Sequence, residues 1–143
     1  MKYVGIDPGK SGGISIIDEH PNNLFAYKMP DTEQDIASIF KDISYEGESF
    51  AYIEKVSSMP GQGVRSMFSF GQNYGFLRAC LHSYQIPFDE VLPAKWQKAL
   101  GCLTKGDKNV TKSKAQQLFP TIKVTHAIAD SMLIAQYCYE VKR

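Results

Sequence analysis

Three acidic residues share a setting that could do chemistry. Asp7, Glu54 and Asp130 each follow directly on an apolar residue, namely Ile6, Ile53 and Ala129. An acid that continues an apolar run is held against a core instead of floating in solvent. Hard carboxylate oxygens suit divalent cations. Two such ions about 3.5–4 Å apart can activate water, neutralise a phosphate and stabilise a leaving 3′ oxygen. One carboxylate alone does none of this, so the chemistry depends on whether the fold gathers all three. His126 lies four residues before Asp130 and shares its face if the segment is helical. Its imidazole would add a nitrogen donor, which favours Mn²⁺ over Mg²⁺. The candidate ligands are therefore Asp7, Glu54, Asp130 and His126.

The elements that must position these groups can be read in order. Residues 3–6 form an apolar extended run that stops on Asp7, and Pro8-Gly9-Lys10-Ser11-Gly12-Gly13 supplies a tight turn. Residues 14–17 resume the extended pattern, so a hairpin carries the first acid at its mouth. A turn at His20-Pro21-Asn22-Asn23 leads into a third strand over residues 24–29, and Asp31 or Thr32 caps a helix reaching about Ile43. Residues 49–53 form a fourth strand that delivers Glu54. A loop over residues 57–63 precedes a long helix over residues 64–84. This helix has one apolar stripe at Val64, Met67, Phe68, Gly71 and Gly75, and a second at Phe70, Tyr74, Leu77, Leu81 and Tyr84. A helix that is apolar on two faces needs two partners. A fifth strand over residues 86–92 is followed by a short helix from Pro93 to Leu100, a polar loop over residues 104–109 and a helix over residues 110–119. Thr125 caps a last helix over residues 126–141, which carries Asp130. Asp7 and Glu54 come side by side only if the first and fourth strands are parallel neighbours, with the last helix crossing that edge.

The 143 residues allow a single domain, 1–143, with a core of its own. No apolar run approaches the roughly 20 residues that span a bilayer, so a cytoplasmic protein without membrane contact is expected. Cys80, Cys102 and Cys138 are odd in number and widely separated, which argues for buried free thiols over disulfides or zinc. The net charge of +1 conceals a polarity. Residues 1–90 hold 7 basic and 12 acidic side chains, giving −5, whereas residues 91–143 hold 9 basic and 3 acidic, giving +6. A basic region beside an acidic one suits a protein that grips a polyanion with one part and cations with the other.

Five motifs, G-I-D-P-G at residues 5–9, I-E-K-V at 53–56, F-G-Q-x-x-G at 70–75, P-x-x-W-Q-K at 93–98 and A-D-S-M-L-I-A at 129–135, run through the chain in that order. Together they resemble the RuvC family of Holliday junction resolvases in its compact phage-type form. The resemblance implies an α/β, ribonuclease H-like fold, with a five-stranded mixed sheet flanked by helices. It also implies a homodimer acting on four-way and other branched DNA, with two Mg²⁺ or Mn²⁺ ions per site and no nucleotide cofactor, and the host cytoplasm as location if the gene is a phage's. By the same resemblance Asp7, Glu54 and Asp130 fall on catalytic carboxylates, Lys98 and Lys112 near the active site, and Phe68 near an aromatic that opens the junction. The basic region carrying Lys98, Lys105, Lys108, Lys112 and Lys114 would hold the DNA backbone. One departure is plain: the turn before Asp130 offers His126 and Ala127 where the family usually has another acid, or sometimes histidine, so the full set of four carboxylates is absent. An RNA-processing nuclease of the same fold and a non-catalytic branched-DNA binder are the alternatives. An actin-like ATPase, which also opens with a glycine-rich hairpin, needs two such domains.

Overall fold

In the computed structural model, which describes residues 1–56 and 63–143, ten elements follow one another. They are β1 (Lys2–Asp7), β2 (Gly13–Asp18), β3 (Leu24–Lys28), α1 (Glu33–Tyr45), β4 (Ser49–Glu54), α2 (Val64–Ser83), β5 (Phe88–Val91), α3 (Pro93–Ala99), α4 (Lys108–Leu118) and α5 (His126–Lys142). Most of the loop expected over residues 57–63 lies outside the described residues. The strands form one sheet in the order β3-β2-β1-β4-β5. β1 runs antiparallel to β2 and parallel to β4, and β4 runs parallel to β5, so the sheet is mixed. This is the α/β, ribonuclease H-like architecture expected from the sequence.

Alternation along the central strands sorts the core into two layers. Val4 and Ile6 of β1, with Ala51 and Ile53 of β4, point to the face covered by α1 and α2, where they meet Ile36, Phe40, Leu77 and Leu81. Tyr3 and Tyr52 point to the opposite face, against Trp96, Phe119 and the apolar residues of α5. Successive side chains of a strand alternate between faces. Asp7 therefore shares the face of Tyr3, and Glu54 that of Tyr52, which is the side covered by α3, α4 and α5.

Helix α5 explains the depth of this second layer. Every residue from Ser131 to Cys138 is buried, because the helix lies across the middle of the sheet. Gly5 lets it come that close: a Cβ there would stand 2.2 Å from the Ala135 nitrogen and 2.4 Å from the Ser131 oxygen. The buried hydroxyls of Ser15 and Ser131 add a 2.8 Å hydrogen bond between β2 and α5. Gly5→Ala must push the helix off β1 against backbone atoms that cannot rotate aside. It is expected to cost at least about 3 kcal/mol, the upper end of ordinary overpacking, as read from the urea midpoint.

Two element boundaries and one cap show where the sequence reading departs from the structure. β5 is Phe88–Val91 instead of residues 86–92, because Pro87 has no N–H to give the ladder, although its carbonyl accepts from the Ala51 N–H at 2.9 Å. Thr125 occupies the cap position of α5, but its side chain makes no capping bond; Thr32 does so for α1, accepting from the Asp35 N–H at 3.1 Å. α4 starts at Lys108, not Val110, because Asp107 accepts from the Asn109 N–H at 2.9 Å and caps the helix two residues earlier.

Candidate active site

The register of β1 on β4 decides the placement of the first two acids. Ile6 lies opposite Ile53, and one step further Asp7 and Glu54 leave the ends of adjacent parallel strands on the same face. Above Asp7, α5 arrives with its N-terminal turn. Gly13, the partner of Asp7 in the β1–β2 ladder, approaches the Ala127 carbonyl and the Ser131 hydroxyl. Asp130, one residue before Ser131, is thereby carried to the same sheet edge.

The three carboxyls sense one another. Burial pushes Asp7 well above the usual carboxylate range, and the charges of Glu54 and Asp130 push it further. Glu54 is raised to about 7, chiefly by burial and then by Asp130, against the opposing pull of a hydrogen bond from Trp96. Asp130 is raised by burial, while the Thr111 hydroxyl and the charges of Lys108 and His126 hold it down. The side chains nevertheless stand apart: among the described residues no three His, Cys, Asp or Glu groups close on one point as a metal-ligand cluster.

The surroundings of the acids come from three further elements. On the β4 side, Trp96 of α3 donates its indole N–H to Glu54 Oε2 at 2.8 Å. On the β1 side, the turn after Asp7 is tied to α2, where Asn73 Oδ1 accepts the Gly9 N–H at 2.7 Å. Gly9 has φ +106°, and the Phe70 ring lies where a Cβ would point. From α4, the charge of Lys108 reaches both Asp7 and Asp130. A cation in the first turn of a helix opposes the helix dipole, and the facing carboxyls offset that cost.

The chain path places this constellation among known structures. No protein-family model matches the sequence, and no curated protein matches it either. Solved structures do. RuvC of Thermus thermophilus superposes with a TM-score of 0.60 at 15% identity, over 96% of this chain and 92% of that one. The T. thermophilus RuvC in complex with a Holliday junction substrate superposes with a TM-score of 0.67 at 14% identity, over 99% of this chain and 97% of that one. The fold is that of RuvC.

On this RuvC scaffold the other expected residues distribute unevenly. His126 is exposed at the first turn of α5, and its charge is felt by Asp130, as the four-residue spacing requires. Lys98, Lys105 and Lys108 are exposed, and Lys112 and Lys114 are half-buried on α4. Of these lysines it is Lys108, expected only to touch DNA, whose charge bears on the carboxyls of Asp7 and Asp130. Phe68 is 68% exposed on α2. Tyr74, Leu77 and Leu81 pack toward the sheet and the Phe70 ring sits against the Gly9 turn, while Val64 is 86% exposed and a Cβ at Gly71 or Gly75 would meet nothing. Sequence reasoning gave no role to Trp96, Thr111 or Asn73. A lone tryptophan two residues before Lys98 was the available signal for the first; nothing local marked the other two.

Proposed function

We propose that this chain is a metal-dependent endonuclease that cleaves four-way junctions and related branched DNA, in recombination or phage DNA processing. One observation supports the reading: β1, β4 and α5 carry Asp7, Glu54 and Asp130 to one side of a RuvC-type sheet, each raised by burial and two of them by another's charge. The donor set fits hard divalent cations, since all three are oxygen ligands whose mutual repulsion a cation would relieve. Asp7, Glu54 and Asp130, with His126 at the margin, would hold Mg²⁺ or Mn²⁺, which when bound supplies activated water and charge neutralisation at the phosphate. Lys108 and Lys112 lie on one face of α4 and orient the phosphate toward the acids. Lys98, Lys105 and Lys114 carry the flanking backbone, and the exposed ring of Phe68 wedges between bases at the branch. The outward stripe of α2 supports a two-fold homodimer, which would nick two symmetric strands in pairs.

The test uses matched four-way, flap, duplex and RNA-containing substrates with Mg²⁺ or Mn²⁺. Paired nicks in the junction with intact duplex are expected. Equal cleavage of plain duplex, or a preference for RNA, would overturn the assignment, and a monomeric mass with and without junction DNA would overturn the paired mechanism. Affinity for the junction should fall steeply with salt. Replacing Lys98, Lys105 or Lys114 by Ala should lower the slope of log affinity against log salt by about 1 each, if each meets one phosphate.

A further inference from the structure

We infer that Trp96 is a positioning residue for Glu54, holding one carboxylate oxygen so that the other is presented to a divalent cation. The inference rests on the metal reading above and goes beyond it to a residue outside the ligand set.

The geometry is specific. Trp96 is fully buried, and its Nε1–H donates to Glu54 Oε2 at 2.8 Å. The ring is fixed at both ends. Its helix begins at Pro93, one residue after β5, whose Val91 pairs with Glu54 itself, so strand pairing sets the distance from α3 to the acid. The indole body lies in the core layer with Leu100, Phe119 and Leu133 and has no room to swing away. An indole N–H is a donor only. It can orient a carboxylate without accepting a proton from it or competing for the metal, as an imidazole or a second carboxylate would. A donor to the outer oxygen of a ligand fixes its rotamer, and loss of such a partner typically costs 10–100-fold in metal affinity. Asp130 has the Thr111 hydroxyl beside it, but only Glu54 accepts from a buried indole N–H.

Trp96 is the only tryptophan in the chain, which makes the contact observable without turnover. Mg²⁺ titrated into the wild-type protein should move its single indole N–H resonance along a saturable curve, and Glu54→Gln should abolish that response. Trp96→Phe keeps most of the packing and removes the donor. It should raise the Mg²⁺ concentration for half-saturation in calorimetry about 10-fold or more, raise that for half-maximal junction nicking by the same factor, and recover kcat in excess Mg²⁺. Phe40→Leu, in the core layer on the other side of the sheet, serves as the control: it should lower Tm and leave the Mg²⁺ dependence unchanged. If Trp96→Phe melts lower but keeps the wild-type half-saturation, Trp96 is a packing residue and the inference fails alone. If wild type shows no response to Mg²⁺ or Mn²⁺ by resonance or heat, the metal reading fails and takes the inference with it. Should Trp96→Phe not fold, the wild-type resonance decides, because an indole signal unmoved by saturating Mg²⁺ contradicts the contact.

Discussion

Asp7→Asn, Glu54→Gln and Asp130→Asn should each reduce junction cleavage at least about a thousand-fold, on the order of 4 kcal/mol of barrier, while junction binding survives. The reason lies in how the site is built. Each substitution keeps the shape of the side chain and removes one negative charge from a set of three. Asp7 and Glu54 extend adjacent parallel strands one step beyond the Ile6–Ile53 pair, so neither can be replaced by a neighbour without reversing strand alternation. Glu54→Gln is the cleanest of the three, since its amide oxygen can still accept from the Trp96 indole. Binding should persist because the lysines proposed to hold the DNA backbone are outside the carboxylate set. The measurement is single-turnover nicking of a four-way junction beside a gel-shift titration of the same DNA. Near-normal nicking by any one variant in excess Mg²⁺ would remove that residue from the site. Binding lost in parallel with cleavage would mean that the acids serve the fold and not the chemistry.

The metal-free protein should lose stability as pH rises from about 4.5 to about 7, and Asp7→Asn and Glu54→Gln should each cancel part of that loss. Glu54 is raised from its ordinary range to about 7, and Asp7 is raised well above its own. Below about pH 3 both carboxyls are protonated in folded and unfolded chains alike, so they contribute nothing to the difference. Between about 4.5 and 7 the unfolded chain has released the Glu54 proton and the folded chain still holds it, so stability falls with pH. Above 7 the penalty from Glu54 is complete, on the order of 3 kcal/mol, or several degrees of Tm for a domain this size. Glu54→Gln should therefore melt above wild type at pH 8 in EDTA, and the gap should vanish toward pH 4. Mg²⁺ should close the gap from the other side, raising the Tm of wild type and leaving that of the variant in place. Melting curves across pH 4–8, with and without Mg²⁺, check both halves. A Glu54→Gln protein that melts below wild type in EDTA at pH 8 would mean that the carboxylate is satisfied without a cation.

Much of this molecule could be read in the chain before any fold was known. Strand and helix order followed from period-2 runs, from Pro93 as punctuation, and from Thr32 as a candidate cap, all of which act within a few residues. The acids at Asp7 and Glu54 were marked by the same local signal, an apolar strand that ends on a carboxylate. Boundaries failed where a single bond decided them: the Asp107 cap drew Lys108 into α4, and Pro87 cut β5 short. Which face each acid took was also latent in the sequence, since alternation puts Asp7 with Tyr3 and Glu54 with Tyr52.

Tertiary structure alone decided which strands are neighbours, because β1 and β4 are joined through two other strands and a helix and no local pattern specifies that pairing. It also decided that α2 turns one stripe to the sheet and leaves Val64 and Phe68 outside, a choice that two equivalent stripes could not make for themselves. The contacts of Trp96 with Glu54 and of Asn73 with Gly9 span 42 and 64 residues of chain, and the charge of Lys108 acts on carboxyls as distant in sequence as Asp7. Local propensity acts over a turn or a strand, whereas these partners meet only because a layered core brings distant segments to the same sheet edge.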